Sequence, residues 1–565
     1  MILSIDMKRS LIVWFLSFSC LFVFSQDLKI TEINVVEGLD MSVPDAVKLN
    51  IKASFQDTSK IDKTQKYFFI NKAFYSNFIT RPLVAAKVKS KNKYDVNSTN
   101  IKLALGNYSY KYGDVSYNSK YKKSFSYGLR LTSTANKYKT TIPAEYDVSN
   151  KDQSLSLFTR SVLSKSIIGS SFNYDNIVAQ HDFSNANGSD NKNTFTYSQL
   201  ACFISSRSSE NQRTSHKTTF SFSDFNSQTE NHIVLSSDIS STINSTPYNL
   251  FVEFNNYLNY NNPNDVMHVL QREKLDVKII DITPNFHVNK FGFDIDFGFN
   301  LGIENNNSEN TADIFPLLNI RKELVKNVLN ISFGIDRYDD RNTLASLSRE
   351  NPYIHSLGLN SSVNEIIDSS HTLETTDIYE LYFNLDNKLS DDEFLSFDIA
   401  YGKVSKLHYF DLTHYMDYNR FSVDYIDVWQ LKINSNYNRK LNNLLSLNLD
   451  VDYFYWNKVV PHKADLHASL SFPVSVRDKI ECTPSFEYIG KRKATQMTGL
   501  FIEPPERETI ELDEQFLLNF SVNYNYSKKF GFYFNLNNIL NSQKELWLGY
   551  QQLGMNLNFG LNFLF

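Results

Sequence analysis

The 565 residues include 57 Lys and Arg against 62 Asp and Glu, for a formal net charge of −5. With no basic stripe in the chain, this balance excludes the electrostatic footprint of a nucleic-acid binder. A mean hydropathy of −0.36 excludes a polytopic helical membrane protein, yet 14% of the residues are aromatic, with 44 Phe and 33 Tyr.

The first element is a targeting segment. Met7-Lys8-Arg9 is a short positive stretch, 11–24 is apolar, and Val23 and Ser25 suit a cleavage point. Residues 1–25 therefore read as a secretory signal peptide, with the mature chain beginning at Gln26. Cys20 invites a lipoprotein reading, but Phe18 is bulky where a lipobox wants a small residue. Beyond this segment no apolar run reaches the roughly 18 to 20 residues of a helical span. Residues 26–100 are expected to form a periplasmic and barrel-mouth segment. Within it, 28–60 is a polar tail, while 67–74 and 81–86 look structured. Arg81, Lys87 and Lys89 could either tune a lumen or simply be solvated.

From about Ile101 onward the pattern is strand after strand. Phe291, Phe293, Ile295, Phe297, Phe299, Leu301 and Ile303 alternate with Gly292, Asp294, Asp296, Gly298, Asn300 and Gly302. Apolar residues at i and i+2 point to different faces of a helix, so this is a strand. The same period runs through Leu445 to Tyr455, with Ser446, Asn448, Asp450 and Asp452 interleaved, and through Phe516 to Tyr526. Aspartates on the polar face separate two architectures. A sandwich must bury its apolar faces against each other, whereas a membrane barrel turns them to lipid and keeps Asp and Asn in a wet lumen.

The connections carry a second signal. Short turns at 289–290, 323–327, 387–392, 438–443, 475–479 and 527–529 alternate with mostly longer polar segments at 304–313, 338–371, 404–420, 457–462, 491–512 and 538–553. This is the spacing of periplasmic turns and extracellular loops, and it predicts a transmembrane antiparallel β-barrel of about 22 strands over 101–565. Tyr453, Tyr455, Trp456, Tyr524 and Tyr526 stand at strand ends, where interfacial girdles belong. Cys202 and Cys482 sit inside strand-like runs without metal-ligand spacing; an oxidising compartment permits one disulfide between them, but they read first as two buried or lipid-facing thiols. In the last strand, Leu557, Phe559, Leu561, Phe563 and Phe565 alternate with Asn556, Asn558, Gly560 and Asn562. That apolar row, ending on the terminal aromatic, is expected to be the signal for barrel assembly in the outer membrane.

Three stretches carry a family likeness: Phe530-Gly-Phe-Tyr-Phe-Asn-Leu-Asn-Asn-Ile-Leu-Asn541, Trp547-Leu-Gly-Tyr550 and Gly560-Leu-Asn-Phe-Leu-Phe565. Together they resemble the closing strands of TonB-dependent receptors. Leu103-Ala-Leu-Gly-Asn-Tyr108, Tyr112-Gly-Asp114 and Ser126-Tyr-Gly-Leu-Arg130 resemble the barrel start of plug-less receptor-like proteins of Bacteroidota. The resemblance implies the barrel and the membrane. It does not imply energised uptake, because 26–100 is short for the family's plug and lacks its Gly- and Val-rich character.

Candidate chemistry is sparse. His462, Asp465 and His467 are close in sequence, with His462 at a loop edge. His408, Asp411 and His414, with Tyr409, Tyr415 and Tyr418, fall in an expected loop that could bind a ligand but reads first as solvated. No nucleophile elbow, Walker loop or zincin motif occurs. The expectation is no catalytic residue, no cofactor, no metal and no nucleic-acid partner. The expected partners are outer-membrane lipids, the barrel assembly machinery and another outer-membrane or periplasmic protein. The expected function is a passive transport pore, or else a structural, partner-binding barrel. Its lumen would be closed by 26–100, by inward-folded loops such as 338–371, or by a separate protein.

Overall fold

The computed structural model describes residues 98–565 apart from 120–123, 141–145, 183–190, 208–213, 226–229, 244–245, 260–275, 307–308, 355–373, 416–417, 478 and 499–505. The signal peptide, the stretches 28–60, 67–74 and 81–86, and Arg81, Lys87 and Lys89 lie outside the described residues.

The strands are β1 (Thr99–Gly106), β2 (Lys111–Asn118), β3 (Phe125–Thr140), β4 (Tyr146–Val162), β5 (Ser166–Asp182), β6 (Asn191–Ser206), β7 (Ser215–Phe225), β8 (Glu230–Ile243) and β9 (Thr246–Asn259). They continue with β10 (Asp276–Lys290), β11 (Phe293–Asn306), β12 (Glu309–Val325), β13 (Leu329–Arg341), β14 (Thr375–Ser390), β15 (Glu393–Tyr415), β16 (Tyr418–Lys440), β17 (Ser446–Trp456) and β18 (Leu466–Ser471). The last are β19 (Val474–Val476), β20 (Ile480–Ile489), β21 (Arg492–Thr498), β22 (Glu506–Leu512), β23 (Gln515–Ser527), β24 (Phe530–Asn537), β25 (Glu545–Trp547), β26 (Tyr550–Gln551) and β27 (Asn556–Leu564). Among the described residues one short helix, α1 (Leu344–Glu350), follows β13.

Each strand from β1 to β17 pairs antiparallel with its successor. The ring then runs through β18 and β19, which share the neighbour β20, and on through β23, β24 and β27 back to β1. The result is a closed barrel of 22 strands. β18 and β19 act as one wall strand, interrupted where Pro473 offers no N–H. Closure is made by the chain end itself: β27 runs beside β1 from Asn100↔Leu564 to Gly106↔Asn558. The Phe565 N–H donates to the Thr99 carbonyl at 2.9 Å, and the Thr99 N–H donates back at 3.0 Å.

The period-2 reading places side chains correctly. Phe297, Phe299, Phe333, Leu381, Leu557 and Phe559 are exposed on the outer face. Asp296 faces the lumen, where it accepts from Arg321 at 2.8 Å and pairs with His287 Nδ1 at 2.7 Å. Asp450 and Asp452 accept from Asn436 and Asn434. Tyr455 and Tyr526 stand exposed toward opposite ends of the wall, and Tyr401 stacks on Trp429 at 5.6 Å on the outer face.

The expected loops are shorter than their composition suggested. Residues 404–420 are not a loop, because β15 and β16 run on as one hairpin from Leu407↔Ile426 to Tyr415↔Tyr418. Residues 491–512 carry the hairpin β21–β22, and β13 continues to Arg341. Above the apolar belt both strand faces are wet. Pairing therefore persists there with polar side chains, and composition alone cannot separate such a strand from a loop.

Candidate functional site

At one end of the barrel, described parts of several long connections fold inward over the mouth. α1 starts on a capping box: Thr343 accepts from the Ser346 N–H at 3.0 Å, and Ser346 accepts from the Thr343 N–H at 3.0 Å. A helix this short does not hold in water on its own, and here the wall holds it. Glu230 at the head of β8 accepts from the Leu344 N–H at 2.9 Å, and Asn193 in β6 donates to the Pro352 and Ile354 carbonyls at 2.8 and 3.2 Å. The segment then reaches the other side of the barrel. Ile354 bridges to Phe421 in β16, whose N–H donates to the Tyr353 carbonyl at 3.2 Å. β5–β8 and β15–β16 lie about half-way round the ring from each other, so this segment spans the opening.

A hydrophobic core forms where the loops meet. Leu347, Ile354, Phe410, Phe421, Tyr550 and Leu548 are buried together, with Trp547 packed against them. Tyr353 stacks on Tyr550 at 4.0 Å, and Phe410 meets Trp547 edge-on at 5.1 Å. His462 joins the same core, 5.1 Å from Trp547 and 5.4 Å from Phe421. Its Nδ1 lies 3.1 Å from the Phe410 carbonyl, and its Nε2 lies 3.4 Å from the Leu548 N–H, so the neutral Nδ1–H tautomer satisfies both. Burial and the nearby Arg492 push its pKa down to about 3. Arg492 is itself spent on backbone, donating to the Leu546 and Glu545 carbonyls at 2.7 and 2.8 Å.

Ion pairs surround this core. Glu350 accepts from His408 at 2.7 Å and from Lys463 at 3.2 Å, joining α1 to β15 and to the loop after β17. Burial alone would raise the Glu350 pKa, but these two partners outweigh it and hold the carboxyl at about 2. Asp411, fully buried, meets Arg507 at 3.2 Å and accepts from Thr495, where β15 runs parallel to β21. Burial lifts its pKa to about 6 against the pull of Arg507.

The sequence candidates are thus scattered to different tasks. His462 is a core residue of the cover. His467 belongs to the lumen wall, 2.8 Å from Glu487, and Asp465 lends its carbonyl to the Phe454 N–H. His408 holds Glu350, Asp411 is buried where β15 runs beside β21, and His414 stands opposite Asn419 in the backbone register near the tip of the β15–β16 hairpin. Sequence reasoning named 338–371 as one loop that could fold inward, and 343–354 lies within it, but it missed Phe421 and Trp547 as parts of the cover. The available signals were Thr343 with Ser346, and an aromatic cluster in a stretch that looked like loop.

The lumen is lined differently. Between β1, β20, β23, β24 and β27 lies a cavity of about 460 Å³, walled by Lys102, Tyr112, Glu481, Tyr533, Asn558 and Asn562. Asn535 donates to Asn558 at 3.0 Å, and Asn537 donates to Asn556 at 2.9 Å. Cys202 and Cys482 are free thiols, with Cys202 exposed.

No protein-family model matches the chain, and no curated protein does. Solved structures do. The chain is similar to the FrpB iron transporter from Neisseria meningitidis (TM-score 0.61, 8% identity, 84% of this chain and 82% of that one). It is also similar to the siderophore receptor PirA from Acinetobacter baumannii (0.60, 10%, 84% and 81%) and to the copper transporter OprC (0.60, 9%, 83% and 80%). The barrel has the fold of the TonB-dependent receptors. At such identities the likeness speaks for the fold alone.

Proposed function

We propose that this protein is an outer-membrane transport barrel whose outer mouth is closed by its own loops and opens to let solute through. The supporting observation is the buried core of Leu347, Ile354, Phe410 and Phe421, which joins opposite walls across the opening. The apolar outer face supports the membrane setting, since only a closed sheet satisfies every backbone group in lipid. In that setting the short turns and the C-terminus face the periplasm, and the covered mouth faces outward. The solved structures it resembles are transporters and receptors, which favours transport over enzymatic work. The closeness to plug-less receptor-like proteins of Bacteroidota rests on the sequence runs quoted above.

The test is conductance of the purified full-length protein in planar bilayers, beside a Leu347→Asp variant that places a charge in the core of the cover. A transport barrel gated by its loops predicts a largely closed wild type and a conducting variant. Equal conductance of the two would remove the cover from the mechanism. A partner-binding barrel, the second reading, instead predicts unchanged permeability in both and a complex that co-purifies in mild detergent.

A further inference from the structure

One seam of the wall comes apart half-way up. β11 and β12 stay paired from Asp294↔Arg321 to Asn306↔Glu309, and β13 and β14 from Leu329↔Asn387 to Arg341↔Thr375. Between β12 and β13 the register stops at Leu318↔Ile335. Among the described residues, 309–317 has no strand beside it on the β13 side.

The cause lies in the outward rows. On β12 that row is Leu318, Pro316, Ile314 and Ala312, set against Phe297, Phe299, Leu301 and Ile303 on β11. It stays apolar throughout, and Ile314 is 68% exposed. On β13 the row runs Ile331, Phe333, Ile335 and then turns to Arg337 and Asp339. On β14 the paired residues are Leu385, Phe383, Leu381, and then Tyr379 and Asp377. A straight wall would press Arg337, Asp339 and Asp377 into lipid beside Pro316 and Ile314, where charged side chains are destabilising.

The upper β13–β14 hairpin instead leans into the lumen. The Arg337 side chain is only 4% exposed. It donates to Asn300 of β11 at 3.2 Å, to Asp339 at 3.2 Å and to Asp377 at 3.4 Å. Arg341 follows it, 3.7 Å from Glu304 and over the Tyr257 ring at 5.6 Å. The edge left behind is suited to stand alone. The Leu318 carbonyl points at β13 beside Gly334, so two residues on, Pro316 turns its nitrogen the same way and has no N–H to leave unpaired.

We propose that this parting is a lateral opening between the lumen and the surrounding leaflet, and that its occupant is a lipid-class amphiphile. The apolar row of β12 is continuous with the lipid-facing belt, so leaflet lipid is what meets the edge. An open edge at membrane depth is tolerated only where it is buried in protein or lines a wet passage, and a polar headgroup can satisfy the backbone of 310–317 in such a passage. On the inner face beside the gap the Phe315 ring lies 5.2 Å from Tyr379 of β14, so the edge has apolar surface on this side as well. This inference rests on the membrane reading above and adds a route through the wall, separate from the covered mouth.

The experiment is photo-crosslinking in outer membranes with p-benzoylphenylalanine at three positions of the full chain. Phe299 faces lipid, Phe315 faces inward at the parting, and Asn319 faces inward where β12 is still paired to Gly334. Lipid adducts are expected at 299 and 315 and not at 319. An adduct at 299 without one at 315 overturns the opening, as does equal yield at 315 and 319. Adducts at 315 to the chain's own 355–373, or to a second copy, overturn it by showing polypeptide over the seam. Absence of lipid at 299 overturns the membrane reading itself, and the opening with it. A variant carrying Arg337→Leu, Asp339→Val and Asp377→Leu makes the outward row apolar. Lipid yield at 315 should fall several-fold as the seam closes, and an unchanged yield refutes charge mismatch as the cause.

Discussion

Acid should loosen the cover over the mouth, and His462 is the reason. The ring is 8% exposed, with both nitrogens engaged and no acceptor to spare for a second proton. Protonation would set an Nε2–H against the Leu548 N–H, in a core that already faces Arg492 and Lys463. The pKa of about 3 in the closed form lies below the ordinary value of about 6.5. The open form therefore takes up the proton first: closure is at full strength above about pH 6.5 and weakens as pH falls toward 3. At pH 5 the gap of about 1.5 pH units amounts to about 2 kcal/mol, a factor of about 30 in the opening equilibrium. Asp411, raised to about 6, works the other way, because its folded form gains the proton first as pH falls. Glu350, held at about 2, supports closure in full above about pH 4.5 and loses that support only as pH falls further. The comparison is hydrogen exchange of 343–354 and 541–551 at pH 7.5 and 5, in the wild type and in His462→Gln, whose amide can keep both hydrogen bonds without titrating. The difference between the two proteins isolates the histidine. Identical pH responses would refute the reasoning.

Phe421→Ala empties a fully buried site at the centre of the cover and should cost about 3 to 5 kcal/mol of closure, read as increased sensitivity to large antibiotics with unchanged barrel levels. Glu350→Gln breaks the pairs with His408 and Lys463, but the carboxyl is 38% exposed; the loss should be at most about 1 kcal/mol and should vanish at high salt when opening rates are compared. Deleting Phe565, or changing Phe563 to Asp, should lower outer-membrane levels measured by fractionation and heat-modifiability, because Leu557, Phe559, Leu561, Phe563 and Phe565 form the outward row of the strand that closes on β1.

The amino-acid sequence by itself determined the wall. Alternation through Phe291–Ile303 and Leu557–Phe565 has one physical solution, a sheet wet on one face and greasy on the other. The alternation of turns and longer segments then set the strand number near 22. It did not determine where strands end, because above the belt lipid no longer demands an apolar row and 404–420 pairs with polar side chains. Nor did it choose inward-folded loops such as 338–371 over the other ways of closing the lumen. Leu347, Phe421, His462 and Trp547 are far apart in the chain and meet only because the ring brings the loops of opposite walls over one opening. The parting of β12 from β13 lies between these cases. The change from Ile335 to Arg337 can be read in the sequence, but only the register shows that Ile335 stands beside Leu318, whose own row stays apolar as far as Ala312. Residue pattern decides which face each side chain takes; the relative height of neighbouring strands is set by closure of the whole ring, and that belongs to the tertiary structure.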